Sequence, residues 1–556
     1  MPDIGSLIDP VGGYVSGRIF VDDDIYQQEL EQVWQRTWVF LAHDSMLPKK
    51  GSYLQTYIGE DPIVVVRQKD NSIRVFLNQC RHRGMRICRA DRGLSKGFMC
   101  SFHGWAYDLA GNLIDIPHED TAYPQGIDKS KLSAIKVPRI ENYKGFIFGS
   151  WDDTIPPLEE YLGNAKYYLD GYLDRYEGGM EAIAVHKWVL PANWKFNVEQ
   201  PTSDMQHSEI SHISAVEALA SGSDTFDRKR GREKIPTGRQ FFSPYGHGGA
   251  WFGRRGREIP NTAPALIEWE NSVRGAIEER LGEFREIRGH MNVFPNFMLL
   301  GNYTFRVTHP RGPNEMEIWS WTFVPKDAPE SVKEAIRVDV MRTFSPGGMF
   351  EQDDAENWEE MQHILQGAMA RKTGFTYNMR GVPVSADEDG YPGGSTAHVY
   401  SDNAALNMYG FYRDLMSGAS WEDLKAMRGG EPEIRNADYS AVMAEGVDAL
   451  NTEAEFGIDE ANAALDEANA ALDAAADAAA RIPAARAEAT PTGAAGKSDA
   501  TARGVDGSST PTREHDGPTA ATMRDIVRAE AAAESRQHTM AGTTAHPTAT
   551  DPKEQQ

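Results

Sequence analysis

Two short stretches of this sequence each place one cysteine close to one histidine. Cys80 and His82 are separated by one residue, Cys100 and His103 by two, and seventeen residues lie between the two pairs. Thiolates and imidazoles are metal ligands, and ligands this close together can bind one centre from a tight turn. The residue types and their spacing therefore predict a metal centre. A structural zinc site with two Cys and two His ligands is the simplest alternative.

The order of the ligands favours a Rieske 2Fe–2S cluster over zinc. Zinc fingers pair Cys with Cys and His with His, whereas each pair here contains one of each. In a Rieske cluster two Cys ligands hold one iron and two His ligands hold the other. Cys80 and Cys100 are therefore predicted to bind one iron, and His82 and His103 the second.

Residues beside the two pairs support this interpretation. Gly84 and Gly104 let the backbone pass close to the cluster without a Cβ atom in the way. Trp105 can cover the cluster and exclude water, which affects its reduction potential. On these residues the sequence resembles the Rieske non-haem iron oxygenases, and specifically the large (alpha) subunits of aromatic-ring-hydroxylating dioxygenases. Respiratory Rieske proteins carry an additional disulfide, which Cys88 alone cannot form.

The composition restricts the class of protein further. The 556 residues are enough for two or more domains. A net charge of −25 argues against a nucleic-acid-binding protein or one that binds an anionic membrane surface. Three cysteines in so long a chain, two of them predicted cluster ligands, indicate a reducing compartment. Because we find neither a signal-peptide pattern nor an apolar run of about 18 residues, we expect a cytoplasmic protein.

A second candidate site lies further along the chain and offers Asp204, His207 and His212. Asp204 and His207 are three residues apart and would share one face of a helix. His212 is five residues beyond His207, about 140° further round an ideal helix, so we expect the helix to end or distort between the histidines. Two histidines and one carboxylate form the facial triad of non-haem Fe(II) oxygenases. A polar helix with two hydrogen-bonded histidines is the alternative.

The resemblance implies which carboxylate completes this second site. Residues 349–358 resemble the family's stretch that supplies it, and the matching residue is Asp354, with Asp353 as its competitor. We interpret Asp353 and the glutamates that follow as a solvated helix start. The cofactors implied are one 2Fe–2S cluster and one mononuclear Fe(II).

The resemblance also implies a route for electrons between subunits. In the family, the cluster and the iron of one chain are too far apart, and transfer crosses to a neighbour in a ring of three. Asp204 matches the bridging residue, hydrogen-bonded to His207 and to His103 of the next chain. The implied partners are a ferredoxin or reductase that carries electrons from NADH, and a small beta subunit.

Motif positions imply a set of pocket residues: Gln200, Pro201, Met205, Phe297, Phe344 and Phe350. For the three phenylalanines, ordinary core packing is the alternative. Gln200 and Met205 resemble the biphenyl and benzene branch more than the naphthalene branch. Pro201 departs from that branch, and His207 and His212 are one residue closer than its members have them.

The resemblance implies a terminal oxygenase that cis-dihydroxylates an aromatic ring, using dioxygen and electrons from NADH. A Rieske monooxygenase or demethylase would share every iron ligand and differ only in the shape of its pocket. An electron-transfer Rieske protein would need no second iron site.

The hydrophobic patterns predict an α+β fold. Residues 22–36 predict an amphipathic helix. Runs rich in β-branched and aromatic residues predict a small all-β domain with the ligand pairs at the tips of two hairpins. Later runs predict an antiparallel sheet covered by helices. The expected parts are an N-terminal helical segment (1–37), a Rieske domain (38–155), a catalytic mononuclear iron domain (156–440) and a tail (441–556).

Two further regions are distinctive in charge. Basic segments within residues 223–258 are either a docking site for an acidic electron donor, a lid over the pocket, or solvated loops. In the Ala-rich tail, Glu445 to Asp477 contains ten acidic residues and no basic ones, which favours a solvated helix. From Pro483 onward the composition predicts disorder. The resemblance covers residues 20 to 440 only.

Overall fold

The computed structural model describes residues 3–219, 238–252, 262–282, 289–301, 303–381, 383–384, 391–396 and 399–429. The chain divides into two units, Met1–Val442 and Met443–Gln556, and every described residue belongs to the first. The predictions for the basic segments within 223–258 and for the tail lie outside the described residues. Among the residues described, no helix is both long and apolar enough to cross a lipid bilayer.

The secondary structure confirms the α+β class. The strands are β1 Ile8–Asp9, β2 Tyr14–Ser16, β3 Val39–His43, β4 Ser52–Ile58, β5 Asp61–Arg67, β6 Ile73–Leu77, β7 Arg92–Leu94, β8 Phe98–Met99, β9 Ala106–Tyr107, β10 Leu113–Asp115, β11 Arg139–Tyr143, β12 Phe146–Ser150, β13 Met180–Leu190, β14 Gly238–Phe242, β15 Gly248–Phe252, β16 Gly289–Val293, β17 Phe297–Leu300, β18 Thr304–Pro310, β19 Met316–Pro325, β20 Gly374–Thr376, β21 Pro383–Val384 and β22 Gly394–Thr396. The helices are α1 Asp23–Glu29, α2 Glu119–Ala122, α3 Leu158–Leu162, α4 Ala165–Leu173, α5 Trp194–Thr202, α6 Ile213–Leu219, α7 Pro264–Leu281, α8 Glu330–Thr343, α9 Met349–Leu365, α10 Asn403–Met416 and α11 Trp421–Arg428.

Small antiparallel sheets make up the region that carries the cysteines. Strands β4 to β7 form one sheet in the order β6-β5-β4-β7, and β8 to β10 form another. Burial alternates along β4, as the two-residue period of a strand with one covered face requires. Cys100 and His103 lie in the β8–β9 hairpin, as predicted. Cys80 and His82 do not lie in a hairpin, because β7 pairs with β4 rather than with β6.

The larger sheet has nine strands in the order β13-β19-β18-β17-β16-β15-β14-β22-β21, and its paired strands are antiparallel. Helix α5 packs across β15 to β18, and α8 contacts both β19 and α9. The sheet thereby fixes one face of α5 and, through α8, supports α9. Helix α5 leads into the second candidate site, and α9 carries one of its residues, Asp354.

A buried ion pair joins the N-terminal helix to α5. The predicted helix at 22–36 is present as α1 and continues as a π-helical turn, Leu30–Trp34. Glu29 Oε1 lies 2.5 Å from Lys195 Nζ, and Glu29 also accepts hydrogen bonds from Trp194 Nε1 and Tyr412 Oη. Three separate elements, α1, α5 and α10, are thus tied to one carboxylate, which holds the start of α5 in place.

Two buried neutral histidines are expected to make the protein sensitive to acid. His247 donates from Nε2 to the Tyr161 carbonyl at 2.8 Å and accepts at Nδ1 from Phe294 N at 3.0 Å. Burial lowers the pKa of His247 to about 4, and that of His43 to about 4. An unfolded histidine titrates near pH 6.5. As the pH falls from about 6.5 to about 4, the unfolded state therefore binds protons that the folded state does not, and each histidine lowers the free energy of unfolding by up to about 3 kcal/mol.

Thermal unfolding midpoints measured between pH 7.5 and 5 check this expectation. The midpoint should fall over this range in the wild-type protein, and the fall should be smaller for His247→Gln. His118 is exposed, so His118→Gln should leave the slope unchanged. An equal slope in all three proteins would contradict the assignment.

Candidate metal centres

The two Cys–His pairs are held in turns of the same kind. Gly84 N donates to the Cys80 carbonyl at 2.9 Å, and Gly104 N donates to the Cys100 carbonyl at 3.0 Å. Both glycines have positive φ, +79° and +73°, a conformation that other residues adopt only with strain. A Cβ atom on Gly104 would lie 2.7 Å from Pro117 Cγ. Glycine is therefore favoured at both turns by the backbone conformation, and the predicted close passage of the backbone past the cluster stays a prediction.

The four side chains of the pairs form a donor set that fits a Rieske cluster. Both cysteines are buried and free, and His82 Nδ1 lies 3.0 Å from His103 Nδ1. Two imidazole nitrogens that point at one place suit one iron, and two buried thiols suit the other. Trp105 stacks on the His82 ring at 4.9 Å with 10° between the planes, which covers one face of that imidazole. The exclusion of water from the cluster by Trp105 stays a prediction.

Sequence reasoning missed one residue that contacts a predicted cluster ligand. The hydroxyl of Tyr107 donates a hydrogen bond to Cys80 Sγ at 3.3 Å and accepts one from Arg81 N at 3.1 Å. Hydrogen bonds to the sulfurs help to set the potential of an iron–sulfur cluster. Tyr107 can be seen in the sequence two residues after Trp105, but only the fold shows that its hydroxyl reaches the sulfur of Cys80.

Tyr107→Phe is expected to lower the reduction potential of the cluster. A hydrogen bond stabilises the more negative, reduced form, and its loss at about 1 kcal/mol corresponds to roughly 40 mV for one electron. Tyr53→Phe is the matched control, because the hydroxyl of Tyr53 interacts with Cys88, which is not a predicted ligand. Spectroelectrochemical titration of both variants checks the difference. Equal reduction potentials in the two variants would contradict the inference that Tyr107 helps to set the potential of the cluster.

The second site lies where α5 ends. The helix stops at Thr202, His207 sits in a 3-10 turn spanning Gln206–Glu209, and His212 immediately precedes α6. The predicted break between the two histidines is confirmed. The expectation that Asp204 and His207 share a helix face is wrong, because α5 has already ended before Asp204.

Three side chains converge at this site. The Nε2 atoms of His207 and His212 each lie 3.3 Å from Oδ1 of Asp354, which α9 carries. One ligand atom from each residue lies within 4.8 Å of the other two. Asp354 Oδ1 is buried and accepts no hydrogen bond among the described residues, although both imidazoles face it. A bound cation would satisfy this oxygen, so the donor set fits the two-histidine, one-carboxylate arrangement.

The opposite nitrogen of each histidine is held by a separate acceptor. His207 Nδ1 lies 2.5 Å from the Asp204 carbonyl and 3.4 Å from its carboxylate. His212 Nδ1 lies 3.0 Å from Asp353 Oδ2. The interpretation of Asp353 as part of a solvated helix start is therefore wrong, since it faces His212. Such outer acceptors fix the ring orientation and raise the basicity of metal ligands.

The charges of the site favour cation binding. Burial alone would lower the pKa of His207, but the carboxylates of Asp204 and Asp354 raise it to about 10. Burial alone would raise the pKa of Asp354, but the two imidazoles hold it below its ordinary value. Without a metal, a protonated His207 thus balances the negative charge of Asp354, and a divalent cation would replace that proton.

Five of the six predicted pocket residues lie on elements that lead to this site. Gln200 Nε2 is 3.1 Å from His207 Nε2, and the Phe350 ring is 4.8 Å from that of His212. Phe344 lies 5.8 Å from Phe350 between ring centroids. The other two are buried on or directly after α5: Pro201 and Met205.

Phe297 belongs to the core and not to the pocket. Its ring stacks on Phe40 at 4.7 Å and contacts Phe146 at 5.0 Å. Neighbouring strand residues face opposite sides of a sheet, and Met298 pairs with Arg306, whose guanidinium donates to Asn197 on α5. Met298 therefore faces the α5 side, and Phe297 the opposite side.

Two more residues near the site were not predicted. His290 shares the α5 face of the sheet, its ring lies 6.0 Å from that of Phe344, and burial lowers its pKa to about 4. Glu199 accepts hydrogen bonds from Tyr377 at 3.0 Å and from Tyr409. Removal from water raises the pKa of Glu199 to about 7. His290 is an isolated histidine on a strand, and nothing in the sequence around it indicates that it lies near a metal site.

Comparison with known proteins assigns the chain to a family. Residues 37–139 match the Rieske [2Fe–2S] domain, and residues 158–418 match the ring hydroxylating alpha subunit (catalytic domain). Over 440 residues the chain is 46% identical to the benzene 1,2-dioxygenase subunit alpha of Pseudomonas putida, a match that covers 77% of this chain and 96% of that protein. The chain belongs to the ring-hydroxylating alpha subunits.

Within this family the chain is nearer to the benzene and biphenyl members than to the naphthalene members, as predicted. It is 44% identical to the biphenyl 2,3-dioxygenase subunit alpha of Rhodococcus jostii, covering 77% of this chain and 94% of that one. It is 35% identical to the large oxygenase component of the naphthalene 1,2-dioxygenase system of Pseudomonas aeruginosa, over 73% of this chain and 92% of that one. Naphthalene 1,2-dioxygenase with indole bound in its active site superposes with a TM-score of 0.71 at 32% identity, covering 76% and 96% of the two chains.

Membership of the family establishes the two cofactors. A ring-hydroxylating alpha subunit combines a Rieske domain, which binds one 2Fe–2S cluster, with a catalytic domain, which binds one mononuclear iron. The convergence of His207, His212 and Asp354 agrees with the second of these.

Proposed function

We propose that this chain is a terminal oxygenase that converts an aromatic ring to a cis-dihydrodiol. The reaction consumes the arene, one dioxygen, two electrons and two protons, and both oxygen atoms enter the product. The observation that carries the proposal is the presence of two different donor sets in one chain: a buried Cys–His set and a two-histidine, one-carboxylate set. An electron carrier needs only the first.

In this proposal Cys80 and Cys100 hold one iron of the cluster, and His82 and His103 hold the other. His207, His212 and Asp354 hold the mononuclear iron. When bound, the cluster stores single electrons and the mononuclear iron binds and activates dioxygen. An aromatic ring lies beside a ligand of each centre: Trp105 stacks on His82, and Phe350 lies beside His212.

The carboxylate of Asp204 is proposed to connect neighbouring subunits. It lies 3.4 Å from His207 Nδ1, and 49% of its side chain is exposed, so a second partner can reach it. His103 of a neighbouring copy in a ring of three is the proposed partner. A carboxylate between two metal-bound imidazoles would fix both rings and stabilise their positive charge.

A small apolar arene is the proposed substrate. Phe350 and Phe344 supply apolar surface beside the predicted iron ligand His212. Met205 is buried in an apolar cluster just before His207, and Met298 faces the α5 side of the sheet. The relatives at 44–46% identity are named for benzene and biphenyl. Gln200 Nε2 lies 3.1 Å from His207 Nε2, and we propose that Gln200 orients the substrate or oxygen.

The remaining parts of the proposal concern organisation and partners. A ferredoxin or reductase would deliver electrons from NADH, and a small beta subunit would complete the assembly. The division into 1–37, 38–155, 156–440 and 441–556 remains our proposal for the domains. A cytoplasmic location remains a prediction from the cysteine content.

Product analysis tests the proposed function. The purified protein, loaded with both cofactors, would be supplied with NADH, a ferredoxin and its reductase, ¹⁸O₂ and a panel of arenes. We expect a cis-dihydrodiol that carries two ¹⁸O atoms. A phenol with a single ¹⁸O would instead support the monooxygenase. A red-brown Rieske protein that gives no oxygenated product from any arene would support the electron carrier.

A further inference from the structure

A row of unpaired cations follows the first ligand pair along the chain. Arg86, Arg89, Arg92 and Lys96 are all exposed, and we call them the cationic edge. In the part of the chain that the structure describes, none of their side chains forms an ion pair or a hydrogen bond. Asp91, the one carboxylate among them, is already paired with a lysine, 3.2 Å from Lys187 Nζ.

This row is positive although the chain as a whole is acidic. The chain has 82 acidic and 57 basic residues, so a basic side chain on average has more than one acidic residue available. Four exposed cations without a partner in one stretch therefore leave a positive field at a definite place on an acidic protein. Such a field steers a partner of opposite charge to that place.

The cationic edge is rigidly attached to the predicted cluster ligands. The residue before Arg86 accepts a 2.7 Å hydrogen bond from Cys80 N. The residue before Arg89 exchanges two hydrogen bonds of 2.8 Å with Asn78, two residues before Cys80. Arg92 lies on β7, the outer strand of its sheet, and no further strand among the described residues pairs with its outer edge. A partner bound here would be held close to the cluster by a preformed surface.

Two exposed apolar side chains belong to the same stretch of the chain. Leu94 on β7 and Met99 directly before Cys100 are each 65% exposed. Interfaces combine apolar contact with charges at their rim, and clustered exposed apolar residues mark binding surfaces. The combination suits a protein partner more than a small anion, which would need only the charges.

We propose that the cationic edge is the docking surface for an acidic electron-donor protein. The proposal rests on the proposed function, because only a protein that receives electrons at this cluster needs a donor here. The cationic edge is a different surface from the turn around His82. Arg81 and Arg83 flank His82, and there we expect the neighbouring copy of the chain to bind. The donor is defined by its chemistry: a low-potential, one-electron carrier with a negative surface.

Stopped-flow reduction of the cluster tests the proposal without any substrate. The probe is a reduced plant-type 2Fe–2S ferredoxin, mixed with the oxidised holoprotein while the Rieske absorption is followed. For Arg89→Gln/Arg92→Gln we expect the second-order rate constant to fall at least about tenfold at low salt. The difference should shrink towards 1 M salt, where the screening length is about 3 Å.

A matched control removes two cations from the opposite edge of the same sheet. Lys69 precedes β6, Arg74 lies on it, and both are exposed. Lys69→Gln/Arg74→Gln changes the net charge equally and should leave the rate constant within twofold of wild type. Arg228→Gln/Arg230→Gln tests the basic segment that the sequence also suggested as a docking site.

Several outcomes would overturn the proposal. The first is a rate constant for Arg89→Gln/Arg92→Gln that equals that of the wild type. The second is an equal fall of the rate constant in the matched control. The third is a fall of the rate constant in Arg228→Gln/Arg230→Gln but not in Arg89→Gln/Arg92→Gln. Loss of oligomeric state with an unchanged rate would also overturn it and assign the edge to contacts between copies. If the double variant fails to incorporate the cluster, Arg86→Gln/Lys96→Gln replaces it under the same criteria.

Failure of the proposed function would look different. Photoreduction of the cluster by a neutral deazaflavin requires no docking and should be equal in all variants. If wild-type protein reduced in this way gives no diol, the proposed function fails, whatever the ferredoxin rates are. If it gives diol while the ferredoxin rates do not depend on the cationic edge, only the docking proposal fails.

Discussion

Asp354→Ala is expected to abolish product formation and to remove the mononuclear iron, while the 2Fe–2S cluster stays in place. Asp354 Oδ1 faces both imidazoles at 3.3 Å, and no other carboxylate among the described residues completes a group of three with these histidines. Without it, two histidines remain, and a two-ligand site cannot hold Fe(II) tightly. The loss of activity should exceed the roughly 10–100-fold effect of removing a hydrogen-bond partner from a metal ligand.

Asp353→Asn is the matched control for this experiment. Asp353 is the adjacent carboxylate and binds His212 Nδ1, so its removal should weaken iron affinity by about 10–100-fold without eliminating the site. Iron and sulfide analysis with the Rieske absorption measures both centres in each variant. Full iron content in Asp354→Ala, or a larger loss in Asp353→Asn, would contradict the ligand assignment.

Asp204→Asn is expected to stop electron transfer between subunits while both metals remain bound. The shortest contact of His207 Nδ1 is to the backbone carbonyl of Asp204 at 2.5 Å, which the substitution keeps. The imidazole should therefore stay in place, and only the negative charge between the two histidines is lost. We expect product formation to fall by roughly 100-fold, the upper end of the range for such outer partners.

Single-turnover experiments separate this effect from metal loss. The variant would be loaded with iron, its cluster reduced by deazaflavin, and product measured after one exposure to dioxygen and substrate. A normal rate of cluster oxidation and product release would refute the bridge. Asp353→Asn, when fully loaded with iron, should transfer electrons at the wild-type rate, since its carboxylate faces His212 and not the route through His207.

Local sequence was sufficient wherever the chemistry is local. The Cys80 and Cys100 turns close within a few residues, and their glycines adopt the positive φ that the turns require. The spacing of His207 and His212 requires a break in the helix, because five residues place two side chains on different faces. Alternating and apolar runs gave the strands and the α+β class for the same reason, since each depends on a period of a few residues.

Contacts between distant segments were decided by the tertiary structure alone. Nothing near Asp353 in the sequence shows that it faces His212, which is 141 positions away. Phe297 and Met298 are equally apolar, and only the pairing of β17 with β18 determines which of them faces α5. The sequence by itself thus determined the two donor sets, whose members lie in short motifs or match a family stretch. The fold decided which neighbours orient and cover them, because side-chain direction across a sheet depends on register, and register is set by strands far apart in the chain.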